Sequence, residues 1–235
     1  MSGEGYGTPE RKERAKAWFE SLRDRLCAAL EKIEDEGRGP AKEFGEAGRF
    51  ARKPWLRQGV EGDGGVMAVM RGRVFEKAGV NVSTVAGEFT EEFRARVPGA
   101  GQDPRFWASG ISVVIHPRSP RVPIAHLNTR FIVTTKGWFG GGGDLTPVFP
   151  DEKDTADFHA AFRAACDRFD PGWYPRFKKW CDEYFYLPHR GETRGVGGIF
   201  YDELASGDFE HDFAFTQAVG EAFLDVYPRI IRRHM

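Results

Sequence analysis

The sequence predicts an α+β fold, in which a large antiparallel sheet is covered on both faces by helices within a single domain. Strand-like runs cluster early in the chain, with helical patterns between and after them. Two of these runs, 109–115 and 124–134, are separated by the proline-containing link 117–123, which is typical of a hairpin and therefore of antiparallel strands. Neither an internal repeat nor a low-complexity linker divides the 235 residues, so we expect one domain over 1–235.

The amino-acid composition argues against several classes of protein. Apolar residues make up 40% and charged residues 29%, and the formal net charge is −1, so a nucleic-acid partner is not expected. The sequence has no run of about 18 apolar residues that would predict a membrane span, and its N-terminus lacks the apolar core of a secretory signal. Three cysteines without a C-x-x-C motif favour a reducing compartment. We therefore expect a cytoplasmic protein.

The first third of the chain predicts one long helix, an irregular segment and three short strands. We expect residues 1–7 to be disordered. Thr8 is a suitable N-cap with Pro9 in the first turn, and Gly37 ends a helix whose apolar residues recur at helical spacing. The segment 37–64, rich in glycine and basic residues, predicts a long irregular stretch. Strands are predicted at 65–70, 73–77 and 80–85.

An unbroken glycine run occupies 140–143, directly before Asp144. A phosphate cradle is one interpretation, but the chain has neither G-x-G-x-x-G nor a following Lys-Ser/Thr. A simple turn that uses the aspartate is a second interpretation. We favour a flexible or closely packed backbone that brings Asp144 to the edge of a site, because glycine permits close approach to the main chain.

The last third of the chain predicts three helices and one strand. Asp154 is a suitable cap for the first helix, and Asp170 with Pro171 begins the second, which has an aromatic face. A strand is predicted at 199–202 after a glycine-containing run. The last helix, 209–226, carries apolar residues at helical spacing.

Polar side chains concentrate on one face of the central hairpin. Side chains along a strand alternate between the two faces of a sheet. One face of the hairpin therefore carries a hydroxyl, two imidazoles, an amide and a guanidinium, from Ser112, His116, His126, Asn128 and Arg130. If His116 lies opposite His126, antiparallel pairing places Ser112 opposite Arg130. An active site and an ordinary solvated sheet face fit this pattern equally well.

Two kinds of chemistry fit these side chains. His126 is a candidate general acid or base, beside Arg130, which can bind a carboxylate in a bidentate manner. The alternative is a site for iron or manganese. Its ligands would be His116, His126 and Asp144, with His159 and His189 as additions. The acid–base role is favoured, because the sequence has no closely spaced ligand pair such as H-x-x-x-H.

Several long strings in the chain carry a family resemblance. In order, they read RVFEKAGVNVSTV, ASGISVVIHPRSPRVPIAHLNTRF, WFGGGGDLTP and YPRFKKWCDEYFYLPHRGETRGVGGIFYDEL. They resemble the oxygen-dependent coproporphyrinogen III oxidases, and the resemblance extends from about residue 18 to residue 235. Long strings of low degeneracy in the right order make this resemblance highly specific.

The resemblance implies an oxidative decarboxylation in haem biosynthesis. Members of the family convert two propionates of coproporphyrinogen III to vinyl groups and release protoporphyrinogen IX, with dioxygen as the acceptor. No organic cofactor is implied, because the electron-rich porphyrinogen can itself reduce dioxygen. A divalent metal such as manganese is described for bacterial relatives. The implied partners are the porphyrinogen substrate and a second copy of the chain in a homodimer.

The resemblance also implies roles for individual residues. His126 matches the proposed proton donor, and Asp144 matches the carboxylate proposed to face the pyrrole N–H groups. Substrate contacts are implied for Ser112, Asn128, Thr129 and Arg130. The implied manganese ligands are His116, His126, His159 and His189, of which His189 is also linked to dimerisation.

Family members continue beyond the position of Met235. They carry a further strand and a Gly-Gly-Arg segment that contacts substrate and supports the dimer, and we expect that segment to be absent from these 235 residues. Two rival functions stay open, the first of them because of this missing segment. One is a tetrapyrrole-binding protein without turnover, and the other is a metal-dependent oxygenase that acts on a small carboxylic acid.

Overall fold

The computed structural model describes residues 5–57 and 63–235. Its α-helices are α1 (Pro9–Glu36), α2 (Glu91–Arg94), α3 (Glu152–Asp167), α4 (Trp173–Tyr184) and α5 (Phe209–Arg233), and a 3-10 helix covers Gly39–Phe44. Its strands are β1 (Ala51–Leu56), β2 (Gly64–Met70), β3 (Phe75–Glu88), β4 (Arg105–Pro117), β5 (Ile124–Val133), β6 (Gly137–Thr146), β7 (Tyr186–Leu187), β8 (Glu192–Thr193) and β9 (Gly197–Leu204).

Seven of these strands form one sheet in the order β1-β2-β3-β4-β5-β6-β9, and every neighbouring pair is antiparallel. The first six strands follow the order of the chain, so each pairs with the strand made just before it. Strand β9 joins at the β6 edge, and β7 and β8 form a separate short ladder. The predicted α+β class, with a large antiparallel sheet in a single domain, is confirmed.

The hydrophobic core lies between one face of the sheet and the helices α1, α3 and α5. Ile111 and Val113 of β4 and Leu127 and Phe131 of β5 point to this face and are fully buried. Helix α1 lies against β3 and β4, and α5 lies against β5 and β6 and also packs on α1 and α3. Each such side chain stabilises the fold by about 1.5–3 kcal/mol when it leaves water.

Helical cover of the second face is much smaller. Helix α4 packs at the β9 end of the sheet, where Trp180 contacts Phe200 edge to face. Farther from β9, His126 and Arg130 on this face are half-buried, and Val114 is 41% exposed. The predicted helices on both faces are therefore present in unequal measure. The alternation of the strands explains this, because only one face is apolar enough to hold a layer of helices.

The predicted first helix is confirmed, whereas the segment after it is more regular than expected. The Thr8 hydroxyl caps α1 by accepting a hydrogen bond from Arg11 N, and Gly37 ends the helix. The segment 37–64 contains the 3-10 helix and the edge strand β1, whose side chains are all exposed. Pro54 lies within β1, where a missing N–H is tolerated because the strand has a neighbour on one side only. Residues 58–62 of this segment lie outside the described residues.

The prediction that residues 1–7 are disordered is wrong for residues 5–7. Tyr6 is 1% exposed, and its hydroxyl donates a hydrogen bond to Asp212 Oδ2 at 2.8 Å. Its ring meets Phe209 edge to face at 5.5 Å, so the apolar body and the polar tip of the tyrosine are both accommodated. These partners lie in α5, about 200 residues further along the chain, which local sequence cannot reveal. Residues 1–4 lie outside the described residues.

Candidate active site

The polar side chains of β4 and β5 share one face as predicted, but the strands pair in a different register. Val114 lies opposite His126, and Ser112 lies opposite Asn128. The expected pairing of His116 with His126, and of Ser112 with Arg130, is therefore wrong by two residues. A shift of two leaves every side chain on its predicted face. The register depends on the geometry of the link between the strands, which the sequence pattern does not specify.

A cavity of about 280 Å³ lies where β5, β6 and β9 meet the end of α4. Its polar groups belong to His126, Asn128, Arg130, Asp144 and Arg194, and its aromatic wall to Tyr184, Phe185 and Phe200. Tyr184 and Phe200 stack with their ring centroids 4.3 Å apart. Polar groups beside flat aromatic rings are suited to a ligand that has a flat, electron-rich ring with an anionic substituent.

The cavity contains a buried carboxylate with one basic and one cationic neighbour. Asp144 is 2% exposed, and it lies directly opposite His126 in the ladder between β6 and β5. His126 Nδ1 is 2.8 Å from Asp144 Oδ1, and Arg194 Nη2 donates to Asp144 Oδ2 at 2.8 Å. In the neutral imidazole, Nδ1–H donates to the carboxylate, which leaves Nε2 as the nitrogen that accepts or delivers a proton.

Arg194 is a site residue that the sequence did not single out. It follows β8 and lies 50 residues from Asp144 along the chain. Its Cζ is 3.8 Å from the centroid of the Phe185 ring, so the guanidinium is held between an aromatic face and a carboxylate. The string around Arg194 belongs to the family resemblance, but nothing in its spacing connects it to Asp144.

Arg130 forms a second ion pair at the other end of the cavity. Its Nη2 donates to Asp202 Oδ2 at 2.6 Å. Asp202 lies on β9, two strands away from β5. Like Arg194, it is a residue that sequence reasoning missed, because its partner lies 72 residues away.

The remaining predicted substrate contacts differ in their placement. Asn128 lines the cavity, and its Nδ2 donates to Ile111 O at 3.2 Å. Within the described residues its buried Oδ1 has no protein partner, so it can accept a hydrogen bond from a ligand. Ser112 lies beside Asn128 on the same face. Thr129 is fully buried on the core face, so its side chain does not reach the cavity.

The four predicted metal-binding histidines do not come together. His116 is exposed near the end of β4, and His189 is exposed in the turn between β7 and β8. In α3, His159 has both ring nitrogens occupied, since Nε2 lies 3.1 Å from Val196 O and Nδ1 lies 3.0 Å from the Tyr174 hydroxyl. In the described part of the chain, the only group of three or more metal-ligating side chains is Asp151, Asp154 and His234. The four histidines therefore do not fit one metal site within this chain.

The glycine run forms the middle of β6 rather than a turn, so the turn interpretation is wrong. A Cβ on Gly143 would lie 2.9 Å from Phe162 Cζ. Gly142 has φ 155°, and a Cβ there would overlap the carbonyl oxygen of Ile199. The closely packed backbone that we favoured is confirmed, and the strand that it forms places Asp144 beside His126.

The fold and the site define an α+β protein with a histidine–carboxylate pair and flanking arginines on an antiparallel sheet. The family model described as coproporphyrinogen III oxidase matches residues 14–235. This chain belongs to that family.

Individual relatives agree with the family match. The chain is similar to a protein of Rickettsia bellii (strain RML369-C), with 60% identity over 225 residues, which cover 95% of this chain and 79% of the relative. A protein of Rickettsia akari (strain Hartford) is 58% identical over 223 residues, covering 95% of this chain and 78% of the relative. Both carry the name oxygen-dependent coproporphyrinogen-III oxidase. Among the described helices, none is long and apolar enough to cross a membrane.

Proposed function

We propose that this chain catalyses the oxygen-dependent conversion of coproporphyrinogen III to protoporphyrinogen IX in haem biosynthesis. In each of two rounds, a propionate side chain loses carbon dioxide and the equivalent of a hydride and becomes a vinyl group. Dioxygen accepts the hydride equivalent together with a proton and becomes hydrogen peroxide. The observation that carries the proposal is the His126–Asp144 pair in a cavity that also presents Arg130.

His126 is the proton donor of this proposal. Its Nδ1 is engaged by Asp144, so the ring orientation is fixed, and in the imidazolium form the proton on Nε2 is the one that can be delivered. Half-burial keeps the imidazole accessible to a bound ligand. General acid–base groups of this kind contribute about 10²–10⁴-fold to a reaction rate.

Asp144 provides the negative charge. As electrons leave the porphyrinogen, positive charge develops on a pyrrole ring and is stabilised by a nearby carboxylate. A carboxylate that is 2% exposed acts at low local dielectric, where its field is stronger than in water. Arg194 holds Asp144 Oδ2, so the carboxylate does not turn away from the cavity.

Arg130 and Asn128 hold the propionate arm. Arginine pairs with carboxylates through parallel N–H groups, and the unpartnered Asn128 Oδ1 accepts from a pyrrole N–H or a protonated acid. At about 280 Å³, the cavity is below the roughly 300–1,000 Å³ of pockets that enclose drug-sized ligands. It therefore takes one pyrrole with its side chain, and the rest of the tetrapyrrole lies outside it.

The proposal requires no organic cofactor, because the porphyrinogen supplies the electrons and dioxygen accepts them. It also includes no metal, because the histidines do not fit a common site within the chain. We further propose a homodimer, supported by the exposed edge strand β1 with Trp55 and Leu56 at its end. A cytoplasmic location is supported by three free cysteines.

Incubation with coproporphyrinogen III in air tests the proposal. We expect protoporphyrinogen IX, identified by mass and by fluorescence after oxidation, together with two equivalents of hydrogen peroxide. Product should not form under argon, and EDTA should not prevent its formation. Binding of the porphyrinogen without product would favour the tetrapyrrole-binding protein, and loss of activity with EDTA would favour the metal-dependent oxygenase.

A further inference from the structure

The side chains of Arg130 and Asp202 form an ion pair although a third strand lies between the two strands that carry them. Arg130 projects from β5 and Asp202 from β9, and β6 lies between them in the sheet. Their side chains nevertheless approach to 2.6 Å over the open face of the sheet. Both side chains are half-buried, with exposed fractions of 33% and 27%, and Arg130 also lines the cavity. Neighbouring strands are about 4.8 Å apart, so the two side chains must extend across roughly twice that distance. Their contact also requires that the intervening strand places no side chain between them.

Gly140 is the residue of β6 that lies beneath this ion pair. It pairs with Arg130 in the ladder, and it has no side chain to stand between the two charged groups. A Cβ at this position would overlap Asp202 Oδ1 and would lie 3.1 Å from Arg130 Nε. Glycine is therefore the residue that allows the guanidinium and the carboxylate to meet over the strand.

The backbone of β9 is deformed at the same place. The register between β6 and β9 shifts, so that Phe139 pairs with Leu204 whereas Gly141 pairs with Tyr201. An extra residue of this kind is a β-bulge, which re-aims the neighbouring side chains. In the described chain, Glu203 is the only residue other than glycine with positive φ, at 53°. Residues in sparsely populated conformations cluster at functional sites.

Asp202 is itself fixed by this deformation. Its Oδ1 accepts a hydrogen bond from Glu203 N at 3.0 Å, while Oδ2 accepts from Arg130. Within residues 5–57 and 63–235, the guanidinium of Arg130 makes no other hydrogen bond, and its Nε is buried. A guanidinium has five N–H groups, so the contact with Asp202 leaves several of them for a ligand.

We propose that Asp202 is a positioning residue for the substrate, which acts by fixing the guanidinium of Arg130 so that its remaining N–H groups bind a propionate carboxylate. The proposal rests on the proposed function, since it takes Arg130 as the propionate-binding group. Gly140 and the bulge at Glu203 belong to the same device, because they allow Asp202 to reach Arg130. An arginine anchored in this way loses less conformational freedom when the ligand arrives.

Steady-state kinetics of the whole chain with coproporphyrinogen III test this role. We expect Asp202→Asn to raise KM by about tenfold and to change kcat by less than about threefold, because binding is weakened and the proton-transfer pair is untouched. In an Arg130→Ala background, Asp202→Asn should have no further effect on KM. Gly140→Ala, which keeps both charges but obstructs their contact, should raise KM in the same direction. Asp182→Asn is the matched control, because Asp182 forms a 2.6 Å pair with Lys178 of similar exposure on α4.

Each result has a defined meaning. A lower KM in Asp202→Asn would overturn the proposal, since it would mean that Asp202 competes with the substrate for Arg130. An equal rise in KM with and without Arg130 would also overturn it, as would a variant that lowers the melting temperature and leaves KM unchanged. If the unmodified protein forms no product, the proposed function fails. The same variants are then compared by the Kd of coproporphyrin III, measured by fluorescence, with the same expectations as for KM.

Discussion

His126 and Asp144 face one another across the β5–β6 ladder, with Nδ1 and Oδ1 2.8 Å apart. Their separation is set by the pairing of two neighbouring interior strands of the sheet rather than by a loop. The backbone that carries the proposed proton-transfer pair is therefore held by the hydrogen bonds of the sheet. Catalytic groups gain most from this kind of fixed placement, because little reorganisation is needed during the reaction.

Replacement of His126 tests its role in proton transfer. We expect His126→Ala to lower turnover by about 10²–10⁴-fold, with substrate binding less affected, because the proposed proton donor is removed while Arg130 and Asn128 stay in place. Steady-state kinetics and coproporphyrin binding measure the two effects. His116→Ala is the comparison, since His116 is exposed and does not line the cavity. Similar losses in both variants, together with loss of bound metal, would support the metal site instead.

Arg194 is expected to contribute through Asp144. Arg194→Ala removes one of the two partners of a buried carboxylate, and charge-assisted hydrogen bonds contribute about 1.5–3 kcal/mol. We therefore expect kcat/KM to fall by roughly 10–100-fold. Arg190→Ala is the matched control, because Arg190 pairs with Glu192 on the surface of the same turn. Equal kinetics in the two variants would show that Asp144 does not depend on Arg194.

The two faces of β5 should respond differently to substitution. Leu127 stands between His126 and Asn128 in the sequence, and its side chain is fully buried on the core face. Leu127→Ala is expected to lower the free energy of unfolding by about 2–5 kcal/mol and to leave kcat of the folded fraction unchanged. Denaturant unfolding and kinetics measure the two quantities. A Leu127→Ala protein that is fully folded but inactive would contradict the assignment of the faces.

The packing of the glycine run predicts a specific sensitivity. Gly143→Ala places a Cβ 2.9 Å from Phe162 Cζ, and overpacking of this kind costs about 1–3 kcal/mol. In Gly79→Ala, the atom nearest to the new Cβ is the side-chain nitrogen Nδ2 of Asn81, at 3.5 Å, which is an ordinary contact. Thermal unfolding should therefore separate the two variants, with Gly143→Ala the less stable. Equal melting temperatures would mean that α3 moves to accept the methyl group.

We predict that His159 makes the stability of the folded protein depend on pH. Burial, aided by the nearby Lys178 ammonium, lowers the pKa of this imidazole below its ordinary value. The folded state therefore binds fewer protons than the unfolded chain once the pH falls below about 6.5, the ordinary pKa of histidine. Stability from this group is fully present above that pH and is lost as the pH falls towards the folded-state pKa. The measurement is the free energy of unfolding between pH 7.5 and 5. In His159→Gln, this free energy should fall less with decreasing pH than in the unmodified protein, because the contribution of His159 is removed.

The sequence predicts the faces of the strands better than it predicts their partners. Alternation alone placed His126 and Arg130 on one face and Leu127 on the other, because a side-chain period of two is a property of the strand itself. The pairing of Val114 with His126 depends on the shape of the link, so the predicted register was wrong. Local patterns fix a face, whereas contacts between distant elements depend on the whole fold.

The same limit applies to the candidate site. His126 and Asp144 were singled out from hairpin and glycine patterns that lie close together in the chain. Arg194 and Asp202 were not, since each meets its partner only after β9 and the preceding turn have folded onto β6. Tyr6 was missed for the same reason, because its hydrogen-bond partner Asp212 lies 206 residues away.

The order of the sheet has a consequence for biosynthesis of the chain. Strands β1 to β6 can pair one after another as they leave the ribosome, since their order in the sheet is their order in the chain. The apolar face of β5 and β6, however, is covered by α5, which is synthesised after all of these strands. A nascent chain that has not reached residue 209 therefore presents an assembled but uncovered apolar surface, the kind of species that chaperones bind and that aggregates when they are absent.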